Sequence, residues 1–177
     1  MAKKKTTKAK KKKSSKKTGE SRFKFVKKKK HHPNQHPDCK FCKLIHTKER
    51  ILFENNHIVV MFGRQHHKGK LVIMPKSHEE DLLSLHEKTL DSFMNDTIKI
   101  MKALGRAIKP DLFNLEYLDN WDHHVHWNVY PRFKTDADWG NPPVIPPRDA
   151  KFKPKTLTKK ELAVFKKELD KIKKELW

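Results

Sequence analysis

The sequence predicts an α+β domain built around an antiparallel sheet. The main observation is the order of its elements, since several short apolar runs lie on either side of a single long amphipathic stretch. Strands, then one helix, then strands again is the order typical of this class. The second observation is the length of 177 residues, which suffices for one domain of ordinary size with tails at its ends.

Residues 1–37 form a tail rich in lysine. The first thirty residues carry a net charge of +15 out of +21 for the whole chain, so the basic character belongs to this tail. Such a segment cannot bury enough apolar surface to offset the entropy lost on ordering, and we expect it to be disordered. Its expected partners are nucleic acids or other polyanions, which lysines bind through phosphates without sequence preference. A tail that only aids solubility is the alternative.

A globular domain is predicted for residues 38–148. Two strands joined by a turn at Asn55 and Asn56 open it, and an apolar run ended by Pro75 follows as a buried strand. Apolar residues at helical spacing then predict an amphipathic helix. In chain order the predicted elements are strands at 51–54, 57–62 and 71–75, the helix at 87–108 and a strand at 112–118.

The segment 119–132 concentrates the chemistry of the chain. Apolar and polar residues alternate in it with the period of two that is typical of a strand with one apolar face. The apolar positions are Val125, Trp127 and Val129, and the polar positions are His124, His126 and Asn128. We therefore expect the two imidazoles and the amide to point the same way. The alternative is a histidine-bearing edge strand with a solvated face.

Residues 149–177 are predicted to be a linker and a C-terminal helix, after a proline-rich strap at 142–147. Thr158 and Glu161 form a capping-box pattern at the start of this helix. Its apolar residues recur at alternating spacings of three and four, namely Leu162, Phe165, Leu169, Ile172 and Leu176. We expect this stripe to pack on the domain, and pairing of two such helices in a homodimer is the alternative.

Cys39 and Cys42, with His78 and His124, supply a possible Cys2His2 ligand set, which is the composition of a structural zinc site. A filled set of four leaves no open position, so such a zinc would hold the N-terminal segment to the sheet and perform no chemistry. Other histidines compete for the same role, and they are His31, His32, His36, His66, His67 and His123.

Two cysteines exclude a disulfide framework, and their spacing suggests a metal pair in a reducing compartment. The sequence contains no apolar run near the roughly 20 residues that span a bilayer. An N-terminus without an apolar core is not a secretory signal. We therefore expect an intracellular protein, cytoplasmic or, in a eukaryote, nuclear, with no membrane partner.

The motif residues resemble the histidine triad (HIT) superfamily of nucleotide hydrolases and transferases. The likeness is carried by the segment 124–130 (His-Val-His-Trp-Asn-Val-Tyr), by the Cys-x-x-Cys pair, and by the run 71–78 that ends at His78. Pro131-Arg132 and the segment 136–140 are similar to a zinc-containing, bacterial-type branch. The resemblance covers about residues 39–145 and leaves both tails outside.

The resemblance implies a role for each matching position. His126 takes the place of the nucleophile that forms a nucleotidyl-histidine, and His124 that of a triad histidine which binds zinc with the Cys pair and His78. Asn114 falls where members often present an asparagine near the substrate. Asn128 departs from the family pattern because it stands where the third histidine is expected, and an amide cannot be protonated. The loop at 63–65 lacks the acidic residue that many members place against the ribose.

These observations favour a nucleotide hydrolase or nucleotidyltransferase that acts on a dinucleoside polyphosphate or a nucleoside phosphoramidate. A nucleic-acid-associated binding protein with weak or no catalysis is the alternative, motivated by Asn128 and the lysine-rich tail. An enzyme acting on adenylylated nucleic-acid ends would combine the two.

Overall fold

The computed structural model describes residues 36–175, with the side chain of Glu175 left out. Most of the predicted tail, including His31 and His32, and Leu176 of the C-terminal stripe lie outside the described residues. The elements are α1 (Lys40–Thr47), β1 (Ile51–Glu54), β2 (Ile58–Phe62), β3 (Leu71–Pro75), α2 (Glu87–Ile108), β4 (Leu112–Glu116), β5 (Trp127–Arg132) and α3 (Lys159–Glu175), with a short 3-10 turn at Leu82–Ser84. The predicted α+β class is confirmed.

The five strands form one antiparallel sheet in the order β1-β2-β3-β5-β4. The last strand in the chain therefore lies between β3 and β4. Its residue Asn128 pairs with Val72 of β3 on one side and with Glu116 of β4 on the other. Since paired residues project to the same face of a sheet, this register decides which side chains surround Asn128.

The two faces of the sheet are covered differently. One face packs against α2 and α3, and the buried Val125 and Val129 belong to that core together with the partly buried Trp127. The other face carries a smaller apolar cluster under α1, built on Val72 and Met74. The remainder of this second face, beside α1, is left for polar residues of β5.

The predicted histidine-bearing strand is too long, because the ladder begins only at Trp127. The residues before it are held by local and loop contacts, in which the His124 N–H donates to the Asp122 carbonyl at 2.8 Å and the Val125 N–H to that of Glu79 at 2.7 Å. The strand predicted at 112–118 is also shorter and ends at Glu116. The predicted separation of faces is nevertheless found, because Val125 and Val129 lie in the core under α2 and α3, whereas Asn128 pairs with Val72 of the cluster on the other face. Burial itself does not alternate, since His124, His126 and Asn128 are buried as well.

The sequence analysis missed α1, a helix of eight residues. The Cys39 side chain accepts a contact from the Cys42 N–H at its start, and Lys48 ends it with a left-handed backbone. Phe41 and Ile45 are four residues apart and both are buried against the sheet. This helix places the cysteine pair at the face of the sheet that carries the polar residues.

The C-terminal helix α3 packs in the same core as α2, as expected. Phe165, Leu169 and Ile172 are buried there. The predicted capping box is formed, because the Thr158 N–H donates to the Glu161 carboxylate at 2.8 Å and the Glu161 N–H to Thr158 Oγ1 at 3.2 Å. The domain boundaries at 38–148 and 149–177, and the homodimer alternative, stay predictions. None of the helices within residues 36–175 combines the length and the apolar character needed to cross a bilayer.

Candidate functional site

The four predicted metal ligands come together in space. Cys39 and Cys42 lie at the start of α1, His78 follows β3, and His124 precedes β5. Their ligand atoms all lie within 4.8 Å of one another. Cys42 Sγ is 3.4 Å from His78 Nδ1 and 3.7 Å from His124 Nδ1, while Cys39 Sγ is 3.5 Å from His124 Nδ1.

These separations fit a tetrahedral zinc ion. With Zn–S of about 2.3 Å and Zn–N of about 2.0 Å, tetrahedral angles require S···N separations of roughly 3.5 Å. The far ring nitrogens are also occupied, since His124 Nε2 lies 3.0 Å from the Pro75 carbonyl oxygen and His78 Nε2 lies 3.3 Å from Glu80 Oε1. An N–H donated at Nε2 leaves the Nδ1 lone pair facing the cluster, as metal-binding histidines require.

The competing histidines within the described residues lie outside this cluster. His36 stacks on His78 with ring centroids 5.0 Å apart but supplies no ligand atom to it. His123 is exposed, and His66 and His67 pack against Tyr130 instead. Of the histidines named from the sequence, the structure thus places His78 and His124 with the cysteine pair.

Burial shapes the protonation of the cluster. Desolvation raises the pKa of the Cys42 thiol to about 11, although a hydrogen bond with the His36 backbone lowers this pKa in part. Desolvation also lowers the pKa of His124 to about 4, so its imidazole is neutral at physiological pH. A neutral imidazole is the form that binds metal, and a bound cation would favour the thiolate of Cys42 over the thiol.

His126 is held in one tautomer. Its Nδ1 lies 2.7 Å from the carbonyl oxygen of His124, and because a carbonyl only accepts, Nδ1 must carry the proton. The neutral ring then has its lone pair on Nε2. The side chain is 8% exposed and packs against Phe41 at 5.0 Å between ring centroids. His126 thus combines burial with one available basic nitrogen.

His126 lines a cavity of about 660 Å³. The size is in the range of small-molecule sites, and the lining combines apolar side chains with polar and charged ones. One wall comes from α1 and the neighbouring β2, with Phe41, Leu44, Met61 and Phe62. Another part of the lining comes from two loops, with Leu118, Asn120, Trp121, Ile145, Pro146 and Arg148. His126 and Asn128 lie together on the sheet side of this cavity.

Asn128 is 7% exposed, and its amide makes no side-chain hydrogen bond within residues 36–175. Its donors and acceptor are therefore available to a ligand beside His126. Asn114, the other predicted substrate contact, lines a separate cavity of about 440 Å³ with Trp139. Its Oδ1 accepts a hydrogen bond from Arg132 Nη1 at 2.7 Å. The structure brings Asn128 to His126 and does not bring Asn114 there.

A second group of possible metal ligands consists of His67, Asp136 and Asp138. The guanidinium of Arg132, which is 2% exposed, already pairs with both carboxylates. It lies 3.3 Å from Asp136 and 2.9 Å from Asp138, and His67 lies 3.0 Å from Asp138. With a fixed cation between the carboxylates, the group is a closed ion-pair network that leaves no place for a metal.

Arg64 ties the proline-rich strap to the cavity. Its guanidinium donates to the carbonyls of Pro146 at 3.1 Å, Pro147 at 3.0 Å and Ala150 at 3.3 Å, and it lies over the Phe152 ring at 5.0 Å. The loop at 63–65, which lacks an acidic residue, thus holds the proline-rich strap through Arg64.

The sequence analysis missed three residues of the cavity wall. Trp121 is 60% exposed, and the Arg148 guanidinium stacks on it at 4.1 Å. Lys70 is only 7% exposed, with its Nζ 4.7 Å from the centre of the Tyr130 ring. A signal existed for Lys70, because it precedes Val72 by two residues and so shares the face of β3 that meets Asn128.

Two proteins similar to this chain in sequence are both named HIT-like. An uncharacterized HIT-like protein of Methanocaldococcus jannaschii is 24% identical over 107 residues, covering 56% of this chain and 83% of the relative. Another of Borreliella burgdorferi is 25% identical over 120 residues, covering 56% of this chain and 79% of the relative.

Solved structures share the fold. A hypothetical histidine triad nucleotide-binding protein of Sulfolobus tokodaii has a TM-score of 0.58 at 18% identity, covering 78% of this chain and 96% of that one. A zinc-bound histidine triad family protein of Mycobacterium smegmatis also has a TM-score of 0.58, at 17% identity, covering 78% and 97%.

No protein-family model matches the chain. The chain is nevertheless similar in sequence to HIT-like proteins and shares its fold with histidine triad proteins. Its five-stranded sheet carries a Cys2His2 cluster beside the buried His126.

Proposed function

We propose that the chain is a nucleotide hydrolase or nucleotidyltransferase that works through a nucleotidyl intermediate on His126. The observation that carries the proposal is the contact between His126 Nδ1 and the His124 carbonyl at 2.7 Å. It leaves Nε2 as the nucleophilic nitrogen of a ring that lines a cavity of about 660 Å³. The names of the relatives that bind nucleotides or zinc support this assignment.

In the proposed reaction, the Nε2 lone pair of His126 attacks the α-phosphorus of a nucleoside phosphate. A P–N bond forms while the P–O or P–N bond to the leaving group breaks, and the leaving group departs with the bonding electrons and takes up a proton from solvent. Water or an acceptor hydroxyl then attacks phosphorus and loses its proton to solvent, while the P–N bond to His126 breaks and returns its electron pair to Nε2. The proton on Nδ1 stays there throughout, and its hydrogen bond to the His124 carbonyl helps to stabilise positive charge on the ring.

We further propose that Cys39, Cys42, His78 and His124 hold a structural zinc ion. All four positions of a tetrahedral ion would be filled, so the metal would take no part in the reaction. Its effect on the site is positional. His124 is both a ligand and the residue whose carbonyl orients His126, so fixing its ring also fixes the nucleophile.

Asn128 and Asn114 are both proposed to contact the substrate, and the structure supports the role of Asn128 more strongly than that of Asn114. The free amide of Asn128 can donate to a phosphate oxygen beside His126. Asn114 lines the other cavity, so its role rests on the resemblance alone. The nucleic-acid alternative rests on the lysine-rich tail and remains a prediction.

The test compares two histidines in the same segment. His126→Ala should lower turnover of dinucleoside polyphosphates and nucleoside phosphoramidates by at least about 100-fold, because it removes the nucleophile. His123→Ala, at an exposed position, should leave turnover unchanged. Intact-mass spectrometry after incubation with these substrates should show a nucleotidyl adduct in wild type and none in His126→Ala. Equal turnover in all three proteins would overturn the proposal.

A further inference from the structure

The wall of the main cavity contains five cationic side chains, which are Lys40, Arg50, Arg64, Lys70 and Arg148. Lys40 and Arg50 are exposed, so solvent screens their charge. Arg64 already donates to three backbone carbonyls, and Arg148 stacks on Trp121 and pairs with Asp122 at 3.8 Å. Lys70 alone among these five is buried.

The sheet register places Lys70 close to the reacting face. Leu71 of β3 is paired with Val129 of β5, so Lys70, one residue earlier, lies across from Tyr130. Its Nζ over the Tyr130 ring at 4.7 Å agrees with that position. Val72, two residues on, is paired with Asn128. Lys70 and Asn128 are therefore diagonal neighbours on one face, a separation that a long side chain spans.

The fold makes room for the lysine stem. A Cβ on Gly63 would come within 3.2 Å of Lys70 Cδ and 3.3 Å of its Cε. Glycine at this position therefore leaves space for the methylene groups of Lys70. The ammonium itself forms no ion pair or hydrogen bond with a side chain in residues 36–175. Glu116 lies on β4, on the far side of β5, and attracts the ammonium at longer range. Its buried Oε2 has no hydrogen-bond partner among those residues.

A buried ammonium without a bonded anion is costly for a fold. An apolar side chain of the same length would pack on Tyr130 and Gly63 without that cost. The position is therefore explained by a ligand that brings negative charge into the cavity.

We propose that Lys70 is the cation of the phosphate subsite, binding a phosphate oxygen of the nucleotide held at His126 and supplying the positive charge that Asn128, as an amide, cannot carry. The inference rests on the proposed function and assigns the ligand class as a nucleoside phosphate, recognised at its phosphate. Lys70 stays protonated and acts by charge. This division of tasks between Asn128 and Lys70 replaces a single protonatable residue on β5.

The pH dependence of binding follows from the surroundings of Lys70. Desolvation lowers its pKa to about 8, Glu116 raises it and Arg64 lowers it further. Burial lowers the pKa of His66 to about 4 and raises that of Tyr130 well above its usual value, so both of these neighbours are uncharged from pH 7 to 9. The cation is thus present below about pH 8 and lost above it.

The experiment measures binding of nucleoside monophosphates and of the matching nucleosides by titration calorimetry at pH 7 and pH 9. Monophosphates carry the phosphate but no leaving group, and nucleosides carry neither. Lys70→Met should lose about 10- to 100-fold in monophosphate affinity at pH 7, the effect of one charge-assisted contact, with nucleoside affinity unchanged. The wild type should weaken at pH 9, whereas Lys70→Arg should not, because arginine stays charged.

Lys102→Met, at an exposed position on α2, is the matched control and should bind as the wild type does at both pH values. Lys70→Gln is a second variant in case Lys70→Met fails to fold. Wild-type affinity in a folded Lys70→Met or Lys70→Gln would overturn the role of Lys70 and leave the proposed function standing. A wild type that binds neither monophosphates nor nucleosides would overturn the proposed function itself.

Discussion

His124 performs two tasks with different atoms of one residue. Its Nδ1 faces the cysteine sulfurs, and its backbone carbonyl accepts a hydrogen bond from His126 Nδ1. Its Nε2 is meanwhile bound to the Pro75 carbonyl, so the ring cannot turn without losing a contact. The orientation of the proposed nucleophile is thus linked to the metal cluster through a single residue.

Lys70 gives a prediction about stability at the residue scale. Its pKa is about 8 in the fold against 10.5 for the free group, so the folded state binds fewer protons between these values. Stability should therefore rise with pH across this window, and below it the wild type carries a cost of up to about 3 kcal/mol. Lys70→Met removes the cost, and its free energy of unfolding at pH 7 should equal or exceed that of wild type.

Urea unfolding of both proteins from pH 7 to pH 10.5 provides the measurement. The advantage of Lys70→Met should shrink as the pH rises above about 8. An advantage that stays constant over this range would show that the ammonium is not the source of the difference.

The sequence indicated some site residues and concealed others for physical reasons. Cys39, Cys42, His78 and His124 were found because metal ligands are few in type and the cysteine spacing is short. Lys70 was not, because lysine is usually a solvated residue and its burial depends on Gly63 and Tyr130, which are distant in sequence or on another strand.

At the scale of elements, helix α3 gives the next prediction. Phe165 is fully buried against the core that contains α2, while its neighbour Val164 is 38% exposed. Phe165→Ala should lower the free energy of unfolding by about 3–5 kcal/mol, the usual cost of removing a buried aromatic ring. Val164→Ala, one position away on the same helix, should change it by less than about 0.5 kcal/mol.

Thermal or urea unfolding followed by circular dichroism measures both variants. The loss in Phe165→Ala should occur in the same single transition as wild type, since α2 and α3 share one core. Equal stabilities of the two variants would indicate that α3 is not part of the folded unit.

The limits of three elements, α2, β1 and β3, agree with the prediction to the residue. The helix is defined by twenty-two residues of amphipathic spacing. The two short strands end at clear signals, the Asn55-Asn56 turn and Pro75. The short α1 was missed, since eight residues hold only two turns of pattern and its cap is a cysteine. The start of β5 was placed too early because alternation continues through His124 although the ladder does not.

At the scale of the molecule, the metal cluster joins three distant segments. The ligand separations predict close to one zinc ion per chain, bound tightly enough to stabilise the fold. Removal by a strong chelator, or the substitution Cys39→Ser, should lower the melting temperature even without substrate. His123→Ala should retain the metal, because this side chain is exposed and lies outside the cluster.

Metal analysis of protein purified without chelator, combined with differential scanning calorimetry, measures both effects. Less than a tenth of an equivalent of zinc, or full zinc retention in a Cys39→Ser, Cys42→Ser double variant, would contradict the assignment. The zinc content and melting temperature of His123→Ala serve as the control, because this variant loses a histidine of the same segment that is not a ligand.

The position of β5 between β3 and β4 has a consequence for biosynthesis. As the chain leaves the ribosome, β1, β2 and β3 can pair in turn, but β4 emerges before the strand it must bond to. The ligand set of the cysteine pair is likewise incomplete until His124, three residues before β5, has emerged. Emergence of residues 124–132 therefore completes the sheet, the cluster of metal ligands and the segment that carries His126, and a nascent chain halted before it would present unpaired thiols and an open strand edge.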